Sequence, residues 1–170
     1  MTKSIFKYAG IGLAFVIVVV AIIYISNRGS QIRLNGKIQQ VRVQAMDKKS
    51  CVVIVDFRFK NPANYPFVVE DAKVLLDLGE KRTLTGAAVA AMDVKRLFDY
   101  YSKVNPELGV MYNKVLVVRD RIEPKQSLDR MICARFEIPA AEVDQRQRVR
   151  LRIQDVDRAV AEIVEVRGTE

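Results

Sequence analysis

The sequence predicts a mainly β protein: a β-sandwich with one short amphipathic helix, preceded by a single transmembrane helix. Three observations predict it. Tyr8 to Asn27 carries no charged residue and is almost wholly aliphatic from Ile11 to Ile25. From Ile32 onward the pattern changes to period-two alternation interrupted by Pro, Gly, Asn and Asp, as short antiparallel strands require. Val94, Leu97, Phe98 and Tyr101 stand at i, i+3, i+4 and i+7, the spacing of one helical face.

The apolar run comes first. About twenty residues at 1.5 Å rise cross a hydrocarbon core of about 30 Å. Ile11 and Phe15 lie within the run, and Tyr8 and Tyr24 near its ends, where amphipathic rings favour the interface. Lys3, Lys7 and Arg28 flank it with charges able to snorkel. The run is longer than a signal-peptide core, and no small-residue cleavage site follows it, so a retained signal-anchor is expected. The short N-terminal tail favours a domain on the extracytoplasmic (periplasmic) side of the cell membrane. The expected organisation is an anchor over 1–30, a junction over 31–37, a sandwich over 38–166 and a tail over 167–170.

The strands follow in order. In Cys51–Lys60, Val53, Val55, Phe57 and Phe59 share one face, with Asp56, Arg58 and Lys60 on the other. Asn61 to Pro66 ends that strand, because proline cannot donate to a ladder and asparagine tolerates turn geometry. Phe67–Leu78, Lys81–Ala91, Lys114–Val118, Leu128–Ile138, Val149–Ile153 and Ala159–Val166 read as further strands. Within Leu128–Ile138, Ile132, Ala134, Phe136 and Ile138 face inward. The helix is expected to be capped by Asp93 and stopped by Pro106. It is expected to lie across an edge or end of the sandwich, where it would block strand addition.

Composition excludes several function classes. The net charge is +8, yet no acidic residue precedes Asp47, while six basic residues do. From Asp47 onward the balance is only +2, with 22 basic against 20 acidic residues. A nucleic-acid binder carries its excess on the folded domain, so no nucleic-acid partner is expected, and the basic flanks point to a lipid bilayer. There is no histidine, which removes the usual general base and the commonest zinc ligand. No phosphate-cradling glycine loop, nucleophile elbow or Cys-x-x-Cys is present, so no catalysis, metal or cofactor is expected. Asp155 and Asp157 have the spacing of calcium ligands but read as a hairpin turn. Cys51 and Cys133 fall on opposite strand parities, so separate thiols are expected rather than a disulfide.

Val55-Asp-Phe-Arg-Phe-Lys-Asn-Pro-Ala-Asn-Tyr-Pro-Phe67, followed by the apolar strand to Leu78, resembles the late-embryogenesis-abundant type 2 family, the water-stress and hypersensitive-response (WHy) domain. Its family-like turn comprises Asn61, Pro62, Asn64 and Pro66, with one extra residue between Pro62 and Asn64. Ile122-Glu-Pro-Lys-Gln-Ser127 is similar to that family's turn before its penultimate strands. Cys133-Ala-Arg-Phe-Glu-Ile-Pro139 resembles bacterial immunoglobulin-like domains. Either resemblance implies an immunoglobulin/fibronectin-III-like sandwich without a catalytic site. The first implies stress or desiccation protection, often in membrane-tethered forms. The helix from Asp93 to Val104 departs from both.

Two surfaces stand out. Arg146, Arg148, Arg150 and Arg152 share one parity and would line a strand face, offering guanidinium forks to an anionic partner or a solvated row paired across strands. Arg96, Tyr100, Lys103 and Tyr112, on the helix and the loop after it, would form a protein-partner surface. The expected function is that of a membrane-anchored, non-catalytic envelope protein with a binding or protective role. The alternative is an accessory subunit of an envelope complex that docks through the helix and following loop.

Overall fold

The computed structural model describes residues 12–22, 34–79, 82–111 and 113–166. The chain divides into two units, Met1–Ile32 and Arg33–Glu170.

In the first unit, residues 12–22 form a helix, α1. Its eleven described residues rise about 16 Å, roughly half of a hydrocarbon core. Among the described residues no helix is long and apolar enough to cross a membrane, which overturns the transmembrane-helix expectation. The single-pass, signal-anchor, cell-envelope and extracytoplasmic expectations fall with it. Phe15 lies in α1 and is exposed. Lys3, Lys7, Tyr8, Ile11, Tyr24 and Arg28 lie outside the described residues.

The second unit contains β1 (Asn35–Ala45), β2 (Cys51–Lys60), β3 (Phe67–Asp77), β4 (Thr83–Ala88), α2 (Ala91–Tyr101), a 3-10 turn (Pro106–Leu108), β5 (Arg121–Ile122), β6 (Ser127–Phe136), α3 (Ala140–Asp144), β7 (Arg148–Asp155) and β8 (Val160–Val164). The strands form one sheet ordered β1-β2-β6-β4-β3-β7-β8, with β5 paired to β3. Every strand pairing is antiparallel.

This corrects the sandwich, and β4 is the physical reason. Thr83–Gly86 pairs with β3, whereas Ala87 and Ala88 pair with Arg135 and Ala134 of β6, respectively. One strand therefore joins what would otherwise be two sheets, and the result curls toward a nearly closed barrel. Two glycines permit the tight curvature. A Cβ at Gly86 would lie 2.5 Å from the Phe136 ring, and one at Gly36 would lie 2.6 Å from Cδ1 of Ile163. The side chain of β8 thus seats over the backbone of β1 where the barrel nearly closes.

The barrel interior collects Val53, Val55, Phe57 and Phe59 from β2, Val74 and Leu76 from β3, Ile132 and Ala134 from β6, and Val149, Leu151 and Ile153 from β7, all buried. Phe57 and Phe59 stack at 5.4 Å between centroids. A register shift between Val69 and Asp71 keeps apolar residues inward on both halves of β3.

Several local expectations change. Asn35 to Lys37, expected in a junction, pair with β2 as the start of β1. Ala90, not Asp93, precedes the first turn of α2 and supplies no side-chain cap. Asp93 sits inside that turn, where its charge favours the helix N-terminus, and it pairs with Arg96 at 3.4 Å. The helix ends at Tyr101, and Pro106 opens the 3-10 turn, capped by the Asn105 side chain accepting from the Glu107 N–H. Most consequentially, α2 covers a sheet face rather than an edge. Its Val94, Leu97 and Phe98 pack with Val52, Ile54, Met131 and Cys133, the outward residues of β2 and β6.

Candidate functional site

The outward face of β1, β2 and β6 carries a second layer made of α2 and the segment that follows it. A buried ion pair fixes this layer to the sheet. Arg42 of β1 donates from Nη2 to Oδ2 of Asp56 on β2 at 2.6 Å, with side chains only 5% and 4% exposed. The other terminal nitrogen, Nη1, donates to the carbonyls of Leu108 at 2.7 Å and Val110 at 2.9 Å. The guanidinium also lies 5.1 Å from the Phe98 ring centroid, a cation–π contact with α2. The second oxygen of Asp56 accepts from Nδ2 of Asn113 at 2.9 Å. Further along, Val115 bridges Met131 in parallel, and the Leu116 N–H donates to the Met131 carbonyl at 2.8 Å. One arginine and one aspartate thus satisfy backbone and side-chain groups of a loop that has no regular ladder of its own.

This layer exposes several large apolar side chains among its charged ones. Met92, Tyr100, Val104, Val110 and Val118 are each 60% exposed or more. Beside them a groove of about 320 Å³ opens between α2 and the turn that joins β1 to β2. Val52, Val89 and Leu97 supply its apolar lining, Met46, Tyr100 and Tyr101 its larger side chains, and Arg96, Arg135 and Asp93 its charges. Tyr100 and Tyr101 meet edge to face at 4.9 Å.

The residues expected from sequence divide among several places. Arg96 and Tyr100 line the groove, and Lys103 is exposed just beyond α2. Tyr112 lies outside the described residues. The arginine row is largely paired within the chain. Arg146 precedes β7, is 7% exposed, and grips both carboxylate oxygens of Glu165 at 2.7 and 3.0 Å. Arg148 and Arg150 share Asp77, the first at 2.8 Å and the second through two contacts of 2.9 Å. Thr83 adds a third donor, at 2.7 Å. These bonds, that from Arg150 foremost, hold the Asp77 carboxyl well below the usual carboxylate range. Arg152 is exposed beside Asp71 and Lys73.

The family-like turn is a structural knot. Asn61 is fully buried, donates to the carbonyls of Tyr65 and Ile122 at 2.8 and 3.2 Å, and accepts from the Ala63 N–H at 3.0 Å. Lys125 donates to the Pro62 carbonyl, so two turns are tied together. Asn64 is exposed and Pro66 half-buried. Asp155 receives the Val68 N–H at 2.7 Å and begins the turn into β8.

Arg42, Asp56, Asn113, Met46 and Arg135 were not found by sequence reasoning. The signal for Asp56 and Arg42 is that each is a charge within a strand; only the hairpin register, which sets Arg42 opposite Ile54 and Gln40 opposite Asp56, makes them neighbours.

Cys51 and Cys133 are both free and buried. Burial pushes the Cys51 thiol up to about 11 and the Cys133 thiol up to about 12. Both are therefore expected to resist the disulfide-exchange reagent DTNB in the native protein at neutral pH, and to react fully in guanidinium. Rapid labelling of either thiol without denaturant would contradict this packing.

Compared with family models, curated proteins and solved structures, the chain matches none.

Proposed function

We propose that this protein is a non-catalytic binding domain that docks another protein through α2 and the loop after it. The observation that carries the reading is the outer layer itself: Met92, Tyr100, Val104, Val110 and Val118 are left exposed on a segment that a buried ion pair fixes to the barrel. Exposed apolar clusters on an ordered surface mark interaction sites. Loops held by a rigid scaffold are where such sites are built. The concentration of apolar groups on one layer favours docking over diffuse surface protection.

The disposition of the acids supports a non-catalytic role. The buried carboxylates Asp56, Asp77 and Asp155 are each engaged by guanidinium, amide or hydroxyl donors. None is poised in a cleft beside a second acid, as general acid–base chemistry needs.

The test is co-purification of the native protein and of an Arg96→Ala plus Tyr100→Ala variant from the source cells. Both side chains are exposed, so stability is expected to stay within about 0.5 kcal/mol. A stoichiometric partner of the native protein is expected to be lost from the variant. Retention of every partner by the folded variant would overturn the proposed surface.

A further inference from the structure

We infer that the groove between α2 and the β1–β2 turn takes a large apolar side chain from an acidic segment of the partner protein, with a flanking carboxylate on Arg135. This rests on the docking reading and names the chemistry of its occupant.

The lining is apolar where it is deepest, with Val52 and Leu97 both buried, and aromatic at Tyr100 and Tyr101. Such a hollow desolvates an apolar group and orients it with ring edges and faces.

Charge selects the rest of the occupant. Three charged residues line the groove. Arg96 and Asp93 already pair with each other at 3.4 Å. Arg135 is exposed and makes no ion pair among the described residues, so the lining itself carries one positive charge in excess. Asp47 lies within electrostatic reach of Arg135, but its oxygens are held within its own turn, accepting from the Ser50 hydroxyl at 2.7 Å and the Lys49 N–H at 2.6 Å. Lys48 and Lys49, exposed on the β1–β2 turn that supplies Met46 to the groove, add positive charge beside it. A basic rim around an apolar hollow admits an acidic segment and repels a basic one, and a guanidinium can hold a carboxylate by two parallel bonds.

The experiment is selection of a phage-displayed random peptide library on the immobilised full-length chain. Recovered peptides are then titrated by fluorescence anisotropy. The expected consensus is Phe or Leu flanked by Asp or Glu. Affinity is expected to drop about tenfold on Arg135→Glu and to be unchanged on Lys73→Glu, which alters an exposed β3 position instead. Peptides without acidic residues, peptides insensitive to Arg135→Glu, or no enrichment at all would each overturn the inference. If a partner still depends on Arg96 and Tyr100 in those cases, only the groove's occupant is wrong. If that dependence is also missing, the docking reading fails with it.

Discussion

Arg42→Ala is expected to cost about 3–5 kcal/mol of folding stability, because it leaves the Asp56 carboxylate buried without its guanidinium. The loss goes beyond one ion pair. The carbonyls of Leu108 and Val110 lose their donor, and the Phe98 ring loses the cation beneath it. Two consequences separate this account from loss of side-chain packing alone. First, Arg42→Met together with Asp56→Leu is expected to recover most of the stability, since removing both charges ends the desolvation penalty. Second, that double variant loses the contacts that hold Leu108, Val110 and Asn113, so amide hydrogen exchange at those residues is expected to quicken even though the barrel is stable. Urea unfolding of the two variants checks the first, and exchange mapping the second. A single-variant loss under about 1 kcal/mol would place Arg42 among the weakly contributing surface pairs and contradict this assignment.

Asp77→Ala is the second large effect, about 2–3 kcal/mol, because three donors lose a charged acceptor that is only 6% exposed. It is smaller than the Arg42 effect because Arg148 and Arg150 are themselves 54% and 24% exposed, so water recovers part of the loss. The pH dependence follows from the same contacts. The folded-state pKa of Asp77 lies below the unfolded value of about 3.9, so its contribution is complete above that value and fades as the pH falls through the folded-state pKa. The native protein is therefore expected to lose stability more steeply below about pH 4 than Asp77→Asn does. Thermal melts at stepped acid pH measure this, and parallel curves would contradict it.

Much of the β architecture was legible because alternation is local. Val53, Val55, Phe57 and Phe59 announced their shared face, and β2 occupies the span they predicted. The face of α2 was equally plain from Val94, Leu97 and Phe98. Where α2 would sit was also written in the chain, though less openly. Cys51 to Val55 is apolar without interruption, the mark of a strand covered on both sides, and Met131 to Ala134 repeats it. Those two runs are the strands that α2 covers.

Closure toward a barrel was not legible. It depends on β4 exchanging partners halfway along, and on Gly36 and Gly86 admitting side chains from distant strands. Neither property has a local period. The arginine row shows the same limit from the other side. Its parity was readable, yet the acids that engage it, Asp77 and Glu165, come from other strands or lie beyond β8. The apolar run near the N-terminus misled: among the described residues no helix is long and apolar enough to cross a membrane.

Photo-cross-linking in the source cells distinguishes docking through the α2 layer from contact elsewhere. The full chain would carry p-benzoylphenylalanine at position 100 or, separately, at position 73 on β3, and be irradiated in the source cells. One discrete protein adduct is expected from position 100 and absent from position 73. No adduct at position 100, or the same adduct from both positions, would contradict it.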